Sequence, residues 1–177
     1  MQNMKILSGY IPGAIGRVAG LHGTYYSRYW DFGLFFEAKV ATELSEFLGR
    51  FDKTRDGFWV AEDNGRIAGS VSIDGIEGKT KGARLRWFIV DPEIQKRGTG
   101  RMLMREAVLF CKNANHSKIY LTTFAGLDPA RHLYEAFGFV LCEEWEDAHW
   151  GKPVMAQYFE LDLTPSPLSE SDRQSIE

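Results

Sequence analysis

Phe88-Ile89-Val90-Asp91-Pro92-Glu93-Ile94-Gln95-Lys96-Arg97-Gly98-Thr99-Gly100-Arg101 is the stretch from which the rest of the chain can be read. An apolar, strand-like run ends at Asp91-Pro92, a short basic turn follows, and two glycines open a helical pattern from Met102 onward. Glycines at a strand-to-helix turn let main-chain N–H groups approach a ligand without a Cβ in the way. The free N–H groups of a first helical turn and the positive end of its dipole favour an anion there. Lys96, Arg97 and Arg101 add fixed positive charge. The stretch describes a phosphate or pyrophosphate seat beside a strand, although a tight structural turn would call for the same two glycines. A dinucleotide fingerprint would need a third small residue where Leu103 stands, and a triphosphate loop would need Gly-Lys-Ser/Thr where Gly100 is followed by Arg101.

Outward from that seat, 177 residues suit one domain with a real core. The net charge of −3 gives no basic excess for nucleic acid, and no apolar run is long enough for a bilayer. The first nine residues lack the apolar segment of a signal peptide. Cys111 and Cys142 are far apart and read as two buried thiols of a cytoplasmic protein, and the four histidines show no ligand spacing, so no metal is expected.

Upstream, Lys5 to Gly9 reads as a first strand, with Pro12 suited to a first helical position. Ile11, Ile15, Val18, His22, Tyr25 and Tyr29 recur at helical steps. Gly13, Gly16, Gly20 and Gly23 form a second stripe, which means either that something approaches this helix closely or that the helix is broken. A second helix runs from about Leu34 to Phe51, burying Phe36, Val40, Leu44, Phe47, Leu48 and Phe51, with Lys39, Glu43, Glu46 and Arg50 toward water. Strands at Phe58–Ala61 and Ile67–Ile73 flank the turn Asp63-Asn64-Gly65. Ala83 to Val90 alternates Leu85, Trp87 and Ile89 against Arg84, Arg86 and Phe88. After the glycine-led helix come a strand at Ile119–Phe124 and a helix at Pro129–Phe137 with Asp128 as N-cap and Gly138 as stop. Strands at Phe139–Glu144 and Met155–Leu163 close the series, and residues 164–177 read as a disordered tail. The order predicts a single domain over 1–163 of the α/β (α+β) class, with a mixed, mostly antiparallel sheet of about six to seven strands flanked by four helices.

Gln95-x-x-Gly98-x-Gly100 after Val90-Asp91-Pro92 resembles the acyl-CoA pyrophosphate loop of the GCN5-related N-acetyltransferases (GNAT). Ala130-Arg131-His132-Leu133-Tyr134-Glu135-Ala136-Phe137-Gly138-Phe139 looks like a second signature of that family. His22-Gly23-x-Tyr25-Tyr26, Phe36-Glu37, Trp59-Val60-Ala61-Glu62 and Leu85-Arg86-Trp87 extend the likeness to the acetyltransferase half of proteins that fuse a MarR-type DNA-binding domain to this fold. The DNA-binding half has no counterpart here, so no role with nucleic acid is carried over.

The resemblance implies acetyl-CoA as donor, with its pantetheine arm along Phe88, Ile89 and Val90 and its pyrophosphate on the stretch Lys96, Arg97, Gly98, Thr99, Gly100 and Arg101. Tyr134 occupies the family's position for the acid that protonates the departing thiolate, although its helix face also suits plain packing. The strands around the loop offer Arg84, Arg86, Thr122 and Thr123 but no carboxylate. That leaves the base open among Glu37, Asp74, Glu77, His22, His149 and water. His22, Tyr25, Tyr29 and Glu37 are the candidates for the acceptor. The function implied is N-acetyl transfer to a primary amine of a small molecule or peptide in the cytoplasm, without metal or membrane and with a homodimer left open. The alternatives are a catalytically silent acyl-CoA sensor on the same scaffold and a nucleotide-binding module of another fold.

Overall fold

The computed structural model describes residues 4–164. The expected tail, from Pro165 on, lies outside them. Strands β1 (Met4–Ser8), β2 (Gly57–Asp63), β3 (Arg66–Asp74), β4 (Ala83–Val90), β5 (Lys118–Phe124), β6 (Val140–Asp147) and β7 (Val154–Asp162) form one sheet in the order β1-β2-β3-β4-β5-β7-β6. Every neighbouring pair is antiparallel except β4 and β5. A parallel pair needs a crossover, and helix α3 (Thr99–Asn113) supplies it. The other helices are α1 (Ala14–Trp30), α2 (Leu34–Gly49) and α4 (Asp128–Ala136). Mixed α/β architecture with seven strands and four helices is what the sequence order predicts.

Both faces of the sheet are covered, which is why its central strands are buried on alternate residues to either side. One face carries α3 and α4: Trp59, Val71 and Ile73 pack there with Leu103, Met104 and Ala107. The other carries α1 and α2, where Phe58, Val60 and Trp87 meet Val18, Phe36, Leu44 and Phe47. Each such large side chain contributes about 1.5–3 kcal/mol on leaving water. The Asn64-Gly65 turn joins β2 to β3, with both residues left-handed (φ 51° and 80°).

Several local expectations are corrected. α1 begins at Ala14 rather than at Pro12, because Gly13 takes φ 88°, a left-handed conformation that a helix cannot continue through. Of the glycine stripe, Gly16 and Gly20 face open space; only Gly23 is closely approached, with the Glu37 carboxyl carbon 2.7 Å from where a Cβ would stand. Asp128 is the first residue of α4 and Leu127 its cap, so Asp128 acts through the helix dipole rather than through a cap bond. Cys111 is buried but Cys142, on the edge strand β6, is exposed. No described helix is long and apolar enough to cross a membrane.

Candidate active site

The site begins with a fault in the sheet. β3 and β4 lose register between Ser70 and Ser72, where Trp87 and Phe88 together face Val71. Trp87 takes a left-handed φ of 46°. Such a bulge bends its strand and increases its twist. The Ser70 hydroxyl donates to the Trp87 carbonyl at 2.7 Å and fixes the bend. β4 pairs with β5 only at Ala83–Ile119 and Arg84–Tyr120. Beyond those pairs the strands part, and the β5-facing main chain of β4 has no partner strand as far as Val90.

At the end of β4 the chain is pinned before it turns. Asp91 accepts from the Glu93 amide at 3.1 Å and pairs with Arg17 at 2.9 Å and Arg66 at 3.3 Å. Gln95 returns its side-chain amide to the Val90 carbonyl at 3.1 Å. Lys96 (φ 66°) and Gly98 (φ 81°) are both left-handed, and residues of that kind in a tight loop turn successive N–H groups toward a common concavity. Among the described residues none of the main-chain amides from Lys96 to Arg101 meets a protein acceptor; the next, that of Met102, bonds to the Gly98 carbonyl at 3.0 Å. The Thr99 hydroxyl beside them is buried and likewise unpartnered among the described residues. These groups border a cavity of about 580 Å³, closed by the end of β4 and by Ala130 and Leu133 of α4. The two glycines serve different ends. Gly98 supplies a backbone angle, whereas at Gly100 a Cβ would come within 3.3 Å of both Leu133 and Phe88.

A second cavity of about 290 Å³ lies on the other side of the bend, between β4, β5, α2 and the β6–β7 loop. Phe36, Val40, Phe124 and Trp150 give it an apolar wall; Lys39, Glu43, Arg84 and Arg86 give it a charged one. Glu43 is bonded by both Lys39 and Arg86. Burial alone would raise the Glu43 carboxyl, but the Lys39 hydrogen bond and the charges of Arg86, Lys39 and Arg84 outweigh it and hold the group below the usual carboxylate range. Arg86 also lies 3.6 Å from Asp74, which Arg50 holds at 2.6 Å, and its guanidinium stands 4.1 Å over the Trp87 ring.

Two histidines border the same cavity. His22 places Nδ1 2.8 Å from the Val18 carbonyl. A carbonyl only accepts, so that nitrogen carries the proton. Burial lowers the His22 pKa to about 4 against the pull of that bond, and the ring is neutral. His149 places Nδ1 2.5 Å from Asp147 Oδ2 and packs against Trp150 with ring centres 3.8 Å apart and the planes tilted by 36°.

Tyr26, Phe88 and Tyr134 line both cavities and mark where they meet. Tyr134 is packed among Phe88, Phe139 and Phe159 at ring distances of 5.9–6.1 Å. Burial pushes its phenol well above the ordinary tyrosine range, and among the described residues no group accepts its proton. A neutral phenol with an unused proton at that junction can donate.

The structure divides the residues assigned from sequence. Phe88, Ile89, Val90, Lys96, Gly98, Thr99, Gly100 and Arg101 gather on the larger cavity, while the Arg97 side chain turns toward Asp63 at 3.7 Å. Of the four acceptor candidates, His22 borders the smaller cavity, Tyr25 and Tyr29 border the larger, and Glu37 borders neither. Asp74 is held by Arg50, and Glu77 lies outside both cavities, bonded to Lys81 and Tyr120. Lys39 and Glu43, expected to face water, are cavity residues instead. Their signal is position: Lys39 and Glu43 lie four apart on the flank of the Phe36–Val40 stripe, so whatever that stripe packs against also shelters them.

A sequence model of the acetyltransferase (GNAT) family matches residues 22–139. An uncharacterised N-acetyltransferase of Methanocaldococcus jannaschii is 28% identical over 120 residues, covering 65% of this chain and 53% of that protein. The chain spans about half the length of curated relatives such as this one and human N-acetyltransferase 8. A crystal structure assigned to the GNAT family, from Desulfovibrio desulfuricans, superposes with a TM-score of 0.70 at 20% identity, covering 91% of this chain and 99% of that one. A structure from Salmonella typhimurium with its cofactor acetyl-CoA gives 0.68 at 14% identity, covering 92% and 95%. At those identities the likeness is one of fold.

Proposed function

The chain belongs to the acetyltransferase (GNAT) family of acyltransferases, and from that premise we propose that it moves an acetyl group from acetyl-CoA directly to a primary amine of a small molecule or peptide. The observation that carries the reading is the junction. A buried, neutral Tyr134 stands where a cavity bordered by unbonded amides meets one bordered by polar side chains.

The residues present fit the donor. The unbonded amides of Lys96–Arg101, the orphaned Thr99 hydroxyl and the Lys96 and Arg101 charges suit a diphosphate. The unpaired edge of β4 suits a pantetheine arm that bonds as an added strand does. Among the described residues no group of three or more His, Cys, Asp or Glu gathers as a metal site would, and the reading uses none.

An alkylammonium of pKa near 10.4 must first lose a proton. His22, at about 4, is too weak a base to take it. We assign that step to His149: Asp147 engages its Nδ1, which leaves Nε2 to accept. The freed amine attacks the acetyl carbonyl carbon and a C–N bond forms, while a main-chain N–H near Phe88 stabilises the oxyanion. As the C–S bond breaks, the Tyr134 phenol passes its proton to the thiolate, and the nitrogen, cationic since the attack, gives its second proton to solvent, from which the phenol is reprotonated.

The silent sensor is the rival reading, favoured by the fact that the cavity's carboxylate, Glu43, is already spent on Lys39 and Arg86. Thiol release from acetyl-CoA across a panel of amines separates the two. Turnover that falls in Tyr134→Phe while CoA binding holds supports the transferase; binding without turnover on any amine supports the sensor. We further take residues 1–163 as one transferase domain, nearest in pattern to the MarR-fused half, and place it in the cytoplasm, where its two free thiols would persist.

A further inference from the structure

We infer that the amine received by the smaller cavity carries an anionic group, a carboxylate foremost, and that Arg84 and Arg86 bind it; this rests on the transferase reading above. Three cations, Lys39, Arg84 and Arg86, face the single carboxylate of Glu43 around that cavity. Behind them Asp74 lies 2.6 Å from Arg50 and 3.6 Å from Arg86, so two cations share that carboxylate as well. This positive concavity stands out on a chain whose net charge is −3.

Glu43 has no charge to spare, because it is bonded by both Lys39 and Arg86. Arg84 forms no ion pair among the described residues; the Glu43 and Glu77 carboxylates feel its charge from a distance, and it stands close enough to Arg86 for the two guanidiniums to repel. Arg84 and Arg86 are two apart on β4, so both project from the same side of the strand about 7 Å apart. An anion placed between them would relieve the repulsion and receive charge-assisted hydrogen bonds in a fork geometry. Arg86 and Phe88 line the same cavity, and Phe88 stands where it meets the larger one, so one small molecule can set its anion at the arginines and its amine at the junction. A polyamine would bring a second positive charge against the same wall, which like-charge repulsion disfavours. Phe36, Val40, Phe124 and Trp150 receive the apolar remainder. The acceptor class that meets all three demands is an amino acid, or a close analogue, with an apolar side chain and a free carboxylate.

The test uses the whole chain with acetyl-CoA and three acceptor sets: leucine, methionine and phenylalanine; their carboxamides; and spermidine. In steady-state thiol release the free acids are expected to exceed the amides in kcat/KM by ~10-fold or more, with spermidine last. Arg84→Ala should raise KM for the acids far more than for the amides, Arg84→Lys should restore part of the difference, and Arg84→Glu should reverse the preference. Aminoalkyl phosphonates as a further set show whether charge alone suffices or the planar carboxylate is needed. Amides or spermidine preferred by the wild type, or an acid preference unchanged in Arg84→Ala, overturns the inference while leaving the transferase reading intact. A parallel titration of N-acetylphenylalanine and its amide into the CoA-bound protein, followed by tryptophan emission, decides the point without turnover. Preferential binding of the acid sustains the anion site even if no amine is acetylated, and equal binding overturns it.

Discussion

The cavity beside the Lys96–Arg101 loop draws its unbonded amides from the main chain of one continuous stretch, whereas the cavity beside Arg84 draws its polar groups from side chains of α1, α2, β4, β5 and the β6–β7 loop. A site of the first kind depends on backbone angles and on the absence of a Cβ at one or two positions. A site of the second kind depends on which residues the fold happens to bring together. The first should therefore be sensitive to few substitutions and severely so, and the second to many and moderately.

The largest expected effect follows from that contrast. Gly100→Asp adds a Cβ 3.3 Å from Leu133 and Phe88 and a negative charge at the start of α3, and CoA affinity should fall by ~100-fold or more, equivalent to about 3 kcal/mol. Calorimetric titration with CoA measures it, and unchanged affinity would show that the loop does not seat the diphosphate. Next comes the junction. Tyr134→Phe removes only a hydroxyl, so kcat should drop by ~10–100-fold with CoA affinity held within about 2-fold. A variant with full turnover would return Tyr134 to the packing role that its neighbours Phe139 and Phe159 equally suit.

The acceptor side carries a pH sensitivity of its own. His22 has a pKa of about 4 when folded against 6.5 when exposed. The unfolded chain therefore binds more protons as pH falls, and the contribution of the neutral, buried ring is complete above pH 6.5 and lost progressively toward 4. At pH 5.5 the loss should be about 1.4 kcal/mol, one pK unit's worth. Urea midpoints at pH 7.5 and 5.5 measure it, and His22→Gln should flatten that part of the slope. An unaltered slope in the variant would mean that the ring is solvated in the folded state.

How much of this could be read beforehand divides along the same line. The strands declared themselves because Leu85, Trp87 and Ile89 alternate with Arg84, Arg86 and Phe88, and burial follows that alternation even though the bend sends Leu85 and Trp87 to opposite faces of the sheet. The loop declared itself because its chemistry is written in consecutive residues. The bulge did not: a left-handed Trp87 contradicts local preference, and it is held by Ser70, which lies in another strand. The charged cavity did not either. Lys39 and Glu43 read as facing water, whereas they pair with each other and β4 brings Arg86 onto Glu43 from the side. Tyr25 and Tyr29 share a helix face with His22, yet the junction between the cavities falls between them, so periodicity grouped what topology separates.

The smallest effect is the sharpest probe of the loop, because Lys96 and Arg97 are adjacent basic residues that sequence cannot tell apart. Lys96 is left-handed and borders the larger cavity, whereas the Arg97 guanidinium lies 3.7 Å from Asp63 of β2. A single partly exposed cation facing a diphosphate is worth roughly 1 kcal/mol or less. Lys96→Ala should then weaken CoA binding by ~3–5-fold, with a reduced dependence on salt, while Arg97→Ala should change it by less than about 2-fold. Equal losses at both positions would mean that Arg97 leaves Asp63 when the diphosphate arrives. The loop would then be completed by its ligand, and even the site that looks fixed by main chain would borrow a side chain from the hairpin beside it.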